Sequence, residues 1–218
     1  MSPANLRSTK RKPYQSRLRA EQTAATGRLV LDAATQLFIE RGYAGTSIDA
    51  IADAAGVGRS TVFTAAGGKP WLLKIAYDRA VVGDDAPVPL KDRPEARRLY
   101  EMTDPVRILG AYAGIIADAA RRVSAIYQVI TSATGCDPEI HQLWVTIGEE
   151  RFTGAGQIVD LLAERRGLRK GLPRATARDI IWVYNDPSLH HALVATRGWS
   201  QKRYRDWIAD TLRHHLLG

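Results

Sequence analysis

The chain has 218 residues, 45% of them hydrophobic, which is enough for one large domain or two small ones around a real core and excludes disorder throughout. Its 31 Lys and Arg against 23 Asp and Glu leave a net charge of +8, and its single cysteine, Cys136, excludes an internal disulfide or a multi-cysteine metal cage. No apolar run reaches the roughly 18 residues of a membrane span, and no apolar segment follows the basic start, so a cytosolic protein without a secretory signal is expected.

The charge is uneven. Residues 1–83 hold 12 Lys and Arg against 6 Asp and Glu, whereas residues 84–218 hold 19 against 17. Residues 1–19 carry Arg7, Lys10, Arg11, Lys12, Arg17 and Arg19 with no acid. Such a stretch suits a flexible arm that neutralises nucleic-acid phosphates, and equally an inert solvated tail. A membrane surface would also attract it, but no amphipathic apolar face accompanies the charges.

Next, Leu29, Ala33, Leu37 and Phe38 recur at helical spacing and predict a helix over Arg17 to Arg41, stopped by Gly42. Thr46 and Ser47 offer hydroxyl caps to a short helix through Ile48, Ile51, Ala52 and Ala55, which ends at Gly56. A third short helix is expected over Arg59 to Ala65. Gly67 and Gly68 break it, and Lys69-Pro70 opens a fourth that runs to Val82. Residues 84–103, with Pro87, Pro89 and Pro94 among many charges, read as a linker or mobile loop between a domain at 20–83 and another at 104–218. In the second domain Val106, Leu109, Ala113 and Ile116 form one apolar stripe, and Ile126, Val129 and Ile130 another. A long helix is expected over Pro138 to Arg166, then helices over Arg174 to Arg197, kinked at Asp186-Pro187, and over Gln201 to Leu217. The fold class is all-α, with about nine helices.

The pair of short helices around Gly56 has the length and break of a helix-turn-helix. Ala52 is small where the helices cross, Gly56 supplies the positive φ of the turn, and Val62 points back into the angle between them. Arg59, Ser60, Phe63 and Thr64 then face outward, with Thr61 at the edge. Arginine can bond a guanine edge, hydroxyls can take base edges or phosphates, and a phenyl ring can meet a thymine methyl. Thr46, Ser47 and Lys69 flank this helix near amino termini suited to backbone phosphates. Glycines beside a lysine also suggest a nucleotide loop. That reading fails, because Phe63 stands where a P-loop needs glycine, Pro70 follows Lys69, and no strand precedes.

The segment from Arg28 to Val82 resembles the amino-terminal domain of tetracycline-repressor (TetR) family bacterial regulators. The likeness rests on AATQLFIERGYAGTSI at Ala33 to Ile48, Ile51-Ala52, AAGVGRSTVF, and Lys69 followed by Leu72-Leu73. RGLRKGLPRATARDIIWVY, Asp186-Pro187, LVATRGWS and RYRDWIADTL are similar to the family's last helices more loosely. The resemblance implies a homodimer, a variable ligand-binding second domain, and operator binding that ligand weakens. The family's usual tyrosine, intervening residue, histidine and phenylalanine are replaced by Phe63, Thr64, Ala65 and Ala66, so phosphate contacts and packing under the recognition helix are lost, unless a neighbour such as Trp71 fills the gap.

One helix-turn-helix covers a half-site, so a dimer is expected, with Ile180, Ile181, Tyr184 and His191 on one helix and Tyr204, Ile208, Leu212 and His215 on the other as the dimer face. A core shared within one chain would use the same residues. Tyr112, Ile116, Tyr127, Trp144, Ile147 and Trp182 suggest a ligand cavity, or equally ordinary core. Arg151 on a buried stripe wants a partner, an acid such as Glu150 or Asp118 or an anionic ligand. The five histidines lack metal-ligand spacing, and neither metal nor cofactor is expected. No nucleophile, base and orienter recur at a recognisable spacing, so no enzyme is expected. The expected function is a ligand-responsive transcriptional regulator, a repressor binding a palindromic operator in double-stranded DNA and released by a small apolar or aromatic effector. The alternative is a similar dimer with degraded operator recognition that binds ligands or partners.

Overall fold

The computed structural model describes residues 11–83 and 92–218, giving only the helical backbone course for residues 11–20 and for Ala65 and Ala66. Ten α-helices make up the described chain: α1 (Arg11–Arg41), α2 (Ile48–Ala55), α3 (Arg59–Ala66), α4 (Lys69–Val82), α5 (Pro94–Glu101), α6 (Pro105–Ala133), α7 (Pro138–Glu164), α8 (Arg174–Tyr184), α9 (Pro187–His190) and α10 (Gln201–Leu216). A π-helical turn, His191–Thr196, follows α9. The described residues contain no strand, only an isolated bridge between Leu168 and Leu217. No helix among them is long and apolar enough to cross a membrane.

Several boundaries differ from the sequence reading for identifiable reasons. Helix α1 starts at Arg11 rather than Arg17, so the second half of the expected arm is helical; Pro13 falls in the first turn, where backbone N–H groups have no helical partner in any case. Residues 1–10 of the arm lie outside the described residues, as do residues 84–91 of the expected linker. The rest of that linker holds α5. Pro94 opens it, Leu99 is buried at 2% exposure, and Arg165 donates to the carbonyls of Tyr100 and Met102 at its end. The expected kink at Asp186-Pro187 is a full break. Asp186 caps α9 by accepting from the Ser188 N–H at 2.8 Å, while proline cannot continue α8.

Two apolar clusters hold the helices together. In the first, Val30, Phe38, Ile51, Val62 and Leu72 of α1–α4 pack with Ile126 and Ile130 of α6 and with Ile140 and Ile147 of α7. The second joins Leu99 of α5, Ile108 and Leu109 of α6, Leu162 of α7, Ile181 of α8, and Tyr204, Ile208 and Leu212 of α10. Helices α6 and α7 thus run through both clusters and carry the first against the second. Gly167 permits the tight passage at their far end, since a Cβ there would lie 2.5 Å from Pro105 Cγ.

Phe38 has no exposed surface and stacks on Tyr43 with ring centroids 6.0 Å apart. Phe38→Ala is expected to lower unfolding stability by about 3–5 kcal/mol, measured by chemical denaturation; a loss below about 1 kcal/mol would contradict this packing.

Candidate DNA-binding surface and ligand pocket

Gly56 takes the left-handed conformation, φ 66° and ψ 33°, and its N–H returns to the carbonyls of Ala52 and Asp53. Ala52 and Val62 are buried between the helices. The rotation of α3 that follows leaves Arg59, Ser60, Phe63 and Thr64 exposed and Thr61 half-buried, as the sequence pattern predicts. The Arg59 guanidinium pairs with Asp49 of α2 at 2.5 Å and lies 5.7 Å from the Phe63 ring. Both partners are exposed, so this pair is weak and a guanine edge can compete for the arginine.

Ser47 is the N-cap of α2, its oxygen accepting from the Ala50 N–H at 3.1 Å, and it stays exposed with its hydroxyl proton free for a phosphate. Thr46, expected beside it as a DNA contact, is 1% exposed. Its hydroxyl lies 2.8 Å from the Gly42 carbonyl and 3.1 Å from that of Leu37, so its proton is used in closing the α1–α2 turn. Only one of two adjacent hydroxyls can be the cap, and the other turns inward. Trp71 does not fill the space under α3: it is 58% exposed and lies beside Gly67.

Lys69, expected to reach a phosphate, is half-buried and committed within the fold. Its Nζ donates to the Tyr43 carbonyl at 2.9 Å and sits 4.0 Å from the centre of the Tyr43 ring. The Tyr43 hydroxyl donates to Asp137 at 2.6 Å, and Asp137 caps α7 by accepting from the Glu139 N–H. Burial, then the Asp137 hydrogen bond, pushes the Tyr43 hydroxyl above its usual range, while that bond holds the Asp137 carboxyl below the ordinary value. The start of α4 is therefore tied to the start of α7.

A cavity of about 520 Å³ lies between α4, α5, α6 and α7. Of the residues expected to line one, Tyr112, Ile116, Ile147 and Arg151 do so. Tyr127, Trp144 and Trp182 do not. Tyr127 packs beside Tyr77 at 6.2 Å; Trp144 and Trp182 are 41% and 36% exposed, and Trp182 donates to the Gly148 carbonyl at 3.1 Å. Arg151 pairs with Asp186 at 2.9 Å and donates to the carbonyls of Trp182 and Asn185, not with Glu150 or Asp118. Glu150 is its neighbour in sequence, and adjacent helical residues do not face each other. The sequence reading missed Lys74, Tyr77 and Asp78 of α4 and Tyr100 of α5 as lining residues. The period of α4 marks a buried face, but which element covers that face is a tertiary fact.

Residues 30–74 match the family model described as bacterial regulatory proteins, tetR family. The helix-turn-helix unit is a tetR-family domain. Solved structures agree with the fold over nearly the whole chain. A candidate transcriptional regulator from Saccharomonospora viridis in complex with choline has a TM-score of 0.66 at 18% identity, covering 89% of this chain and 99% of that one. NalD, secondary repressor of the MexAB-OprM multidrug efflux pump in Pseudomonas aeruginosa, gives 0.65 at 20% identity, covering 90% and 98%. FadR of Bacillus subtilis, in complex with stearoyl-CoA, gives 0.64 at 16% identity, covering 85% and 96%. No curated protein matches the sequence significantly.

Behind the tetR-family domain, the residues expected at a dimer face divide in two. Ile181, Tyr204, Ile208 and Leu212 are buried in the core of the single chain, because α10 lies along α6 and α8 closes over it. Ile180, Tyr184, His191 and His215 are half-buried. Tyr184 joins Trp207 at 5.8 Å and His215 at 5.9 Å in an aromatic strip on the outside of α8 and α10.

The tie from the tetR-family domain to α7 has a pH signature. A carboxyl held below the ordinary 3.8 in the folded chain adds stability that is complete above that value and is lost as pH falls through the folded value. Tyr43→Phe is expected to cost about 1 kcal/mol at neutral pH. The gap from wild type should shrink once the pH drops below 3.8, measured by denaturation at both pH values; an unchanged gap would contradict the assignment.

Proposed function

We propose that the protein is a ligand-responsive transcription regulator, a repressor that binds a palindromic operator as a homodimer and releases it when a small molecule fills the cavity. The observation that carries this reading is that one helix serves both sites. Helix α4 starts at Lys69, directly behind the recognition helix α3, and further along places Tyr77 and Val81 in the cavity wall. Its far end is gripped by Arg122 of α6, which donates to the carbonyls of Ala80 and Val81 at 2.9 and 2.7 Å. A molecule that pushes α4 from the cavity side therefore moves α1, on which both α4 and α3 pack, and two recognition helices that matched successive major grooves no longer do.

The structural neighbours support a small-molecule site in a fold of this kind, since two of them hold choline and stearoyl-CoA. The exposed Arg59, Ser60, Phe63 and Thr64 are the proposed base-edge and groove contacts, with Ser47 on a phosphate. The aromatic strip of α8 and α10 is the proposed dimer seam. In this reading the protein performs no catalytic step, and its partners are duplex DNA, an effector and a second copy of itself.

A second reading, a dimer with degraded operator recognition, draws support from the inward commitment of Thr46 and Lys69. Salt dependence separates the two, because groove binding through phosphates weakens steeply as salt rises. Electrophoretic shift of the DNA upstream of the protein's own gene is expected to give a discrete, salt-sensitive complex that Arg59→Ala weakens by about tenfold or more. Equal binding by wild type and mutant, with no sequence preference, would overturn the first reading.

A further inference from the structure

We propose that the cavity selects an organic monocation, a protonated amine or quaternary ammonium carried on an apolar body. This rests on the reading of the cavity as the effector site. The cavity's own cations are already neutralised: Lys74 pairs with Asp78 at 2.6 Å, and Arg151 pairs with Asp186 at 2.9 Å. Glu150 also lines the cavity, and it has no ion-pair or hydrogen-bond partner among the described residues. Asp186 lies outside the lining, so the four charged lining residues sum to zero, and Glu150 is the acid among them without a cation of its own.

The rest of the lining suits a cation as well. Tyr77, Tyr100 and Tyr112 contribute aromatic rings, and Ile115, Ile116 and Ile147 supply aliphatic wall. Arg151, and less strongly Glu150 and Asp78, act on Tyr77 electrostatically, so these charges and the ring share one end of the space. Tyrosine faces attract ammonium groups, and more strongly when water is excluded. An anionic head would meet Glu150 and Asp78 with no unpaired cation to receive it. A neutral ligand would cover Glu150 and leave its charge desolvated without compensation. A cation with an apolar body satisfies the carboxylate, the rings and the aliphatic wall together. A volume of 520 Å³ lies within the usual range for small-molecule sites.

The test is isothermal titration of the full chain with phenylbutylamine, phenylbutanol and phenylbutyrate, which share one body and differ in head charge. The amine is expected to bind about tenfold tighter than the alcohol, and the carboxylate weakest. Glu150→Gln should remove most of that preference while leaving alcohol binding within about twofold. Glu150 is exposed, so this variant should fold, as circular dichroism would verify. Ile116→Trp and Ala119→Trp, which fill the cavity from two positions, should abolish binding of all three probes. If the alcohol or carboxylate binds as tightly as the amine, or the preference survives Glu150→Gln, the charge assignment is overturned; the effector-site reading stands where the tryptophan variants still block binding. Absence of binding by all three probes, or binding that both tryptophan variants leave intact, would overturn both.

Discussion

The structure depends on helix α4 being held at both ends by different parts of the molecule. At its start, Lys69 lies over the ring of Tyr43, whose hydroxyl is bonded to the cap of α7. At its far end the Arg122 side chain of α6 takes two of its last carbonyls. Between these anchors α4 gives Leu72 and Leu73 to the core under the recognition helix and Tyr77 to the cavity. A rigid element with fixed ends transmits displacement instead of absorbing it, because a close-packed interior does not deform continuously. The departures of this chain around α3 are therefore tolerable: orientation of the recognition helix is set from behind, by α1, α2 and the buried Val62, as much as by residues at its own carboxyl end.

Charge in the molecule follows the same division. The amino-terminal third carries most of the positive excess, all of it within residues 1–19, while residues 20–83 balance at six Lys and Arg against six Asp and Glu. Inside the cavity the cations are paired and a single carboxylate is not. In the proposed function the basic stretch meets DNA and the cavity carboxylate meets the ligand, so neither partner competes well for the other's site. The Arg151–Asp186 pair adds an anchor of its own, fixing the break between α8 and α9 against the cavity wall.

Much of the fold was legible in the sequence because helices announce themselves locally. Ser47 as a cap, Gly56 as a left-handed turn and Val62 as an inward β-branched residue are each set by the chain within a few residues. What failed was what needs a distant partner. Thr46 and Lys69 carry groups suited to phosphates, yet carbonyls of Gly42 and Tyr43 hold them. The acid for Arg151 came from Asp186, across the fold, instead of from its helical neighbourhood. An apolar stripe on α10 says that a face is buried without saying by what, and Tyr204, Ile208 and Leu212 turned out to face their own chain. Helix α5 was hidden because prolines and charges suggest a loop, while one buried leucine and the reach of Arg165 are enough to dock a short helix.

In the proposed function the cavity and the DNA surface are coupled through α4, and coupling between two binding sites is reciprocal. The most direct measurement is the affinity of the chain for phenylbutylamine, determined by titration with and without saturating operator DNA, beside the affinity for operator with and without the amine. Each partner is expected to weaken the other by the same factor, and Arg122→Ala, which frees the far end of α4, is expected to reduce that factor. Amine and operator affinities that are indifferent to one another would contradict it.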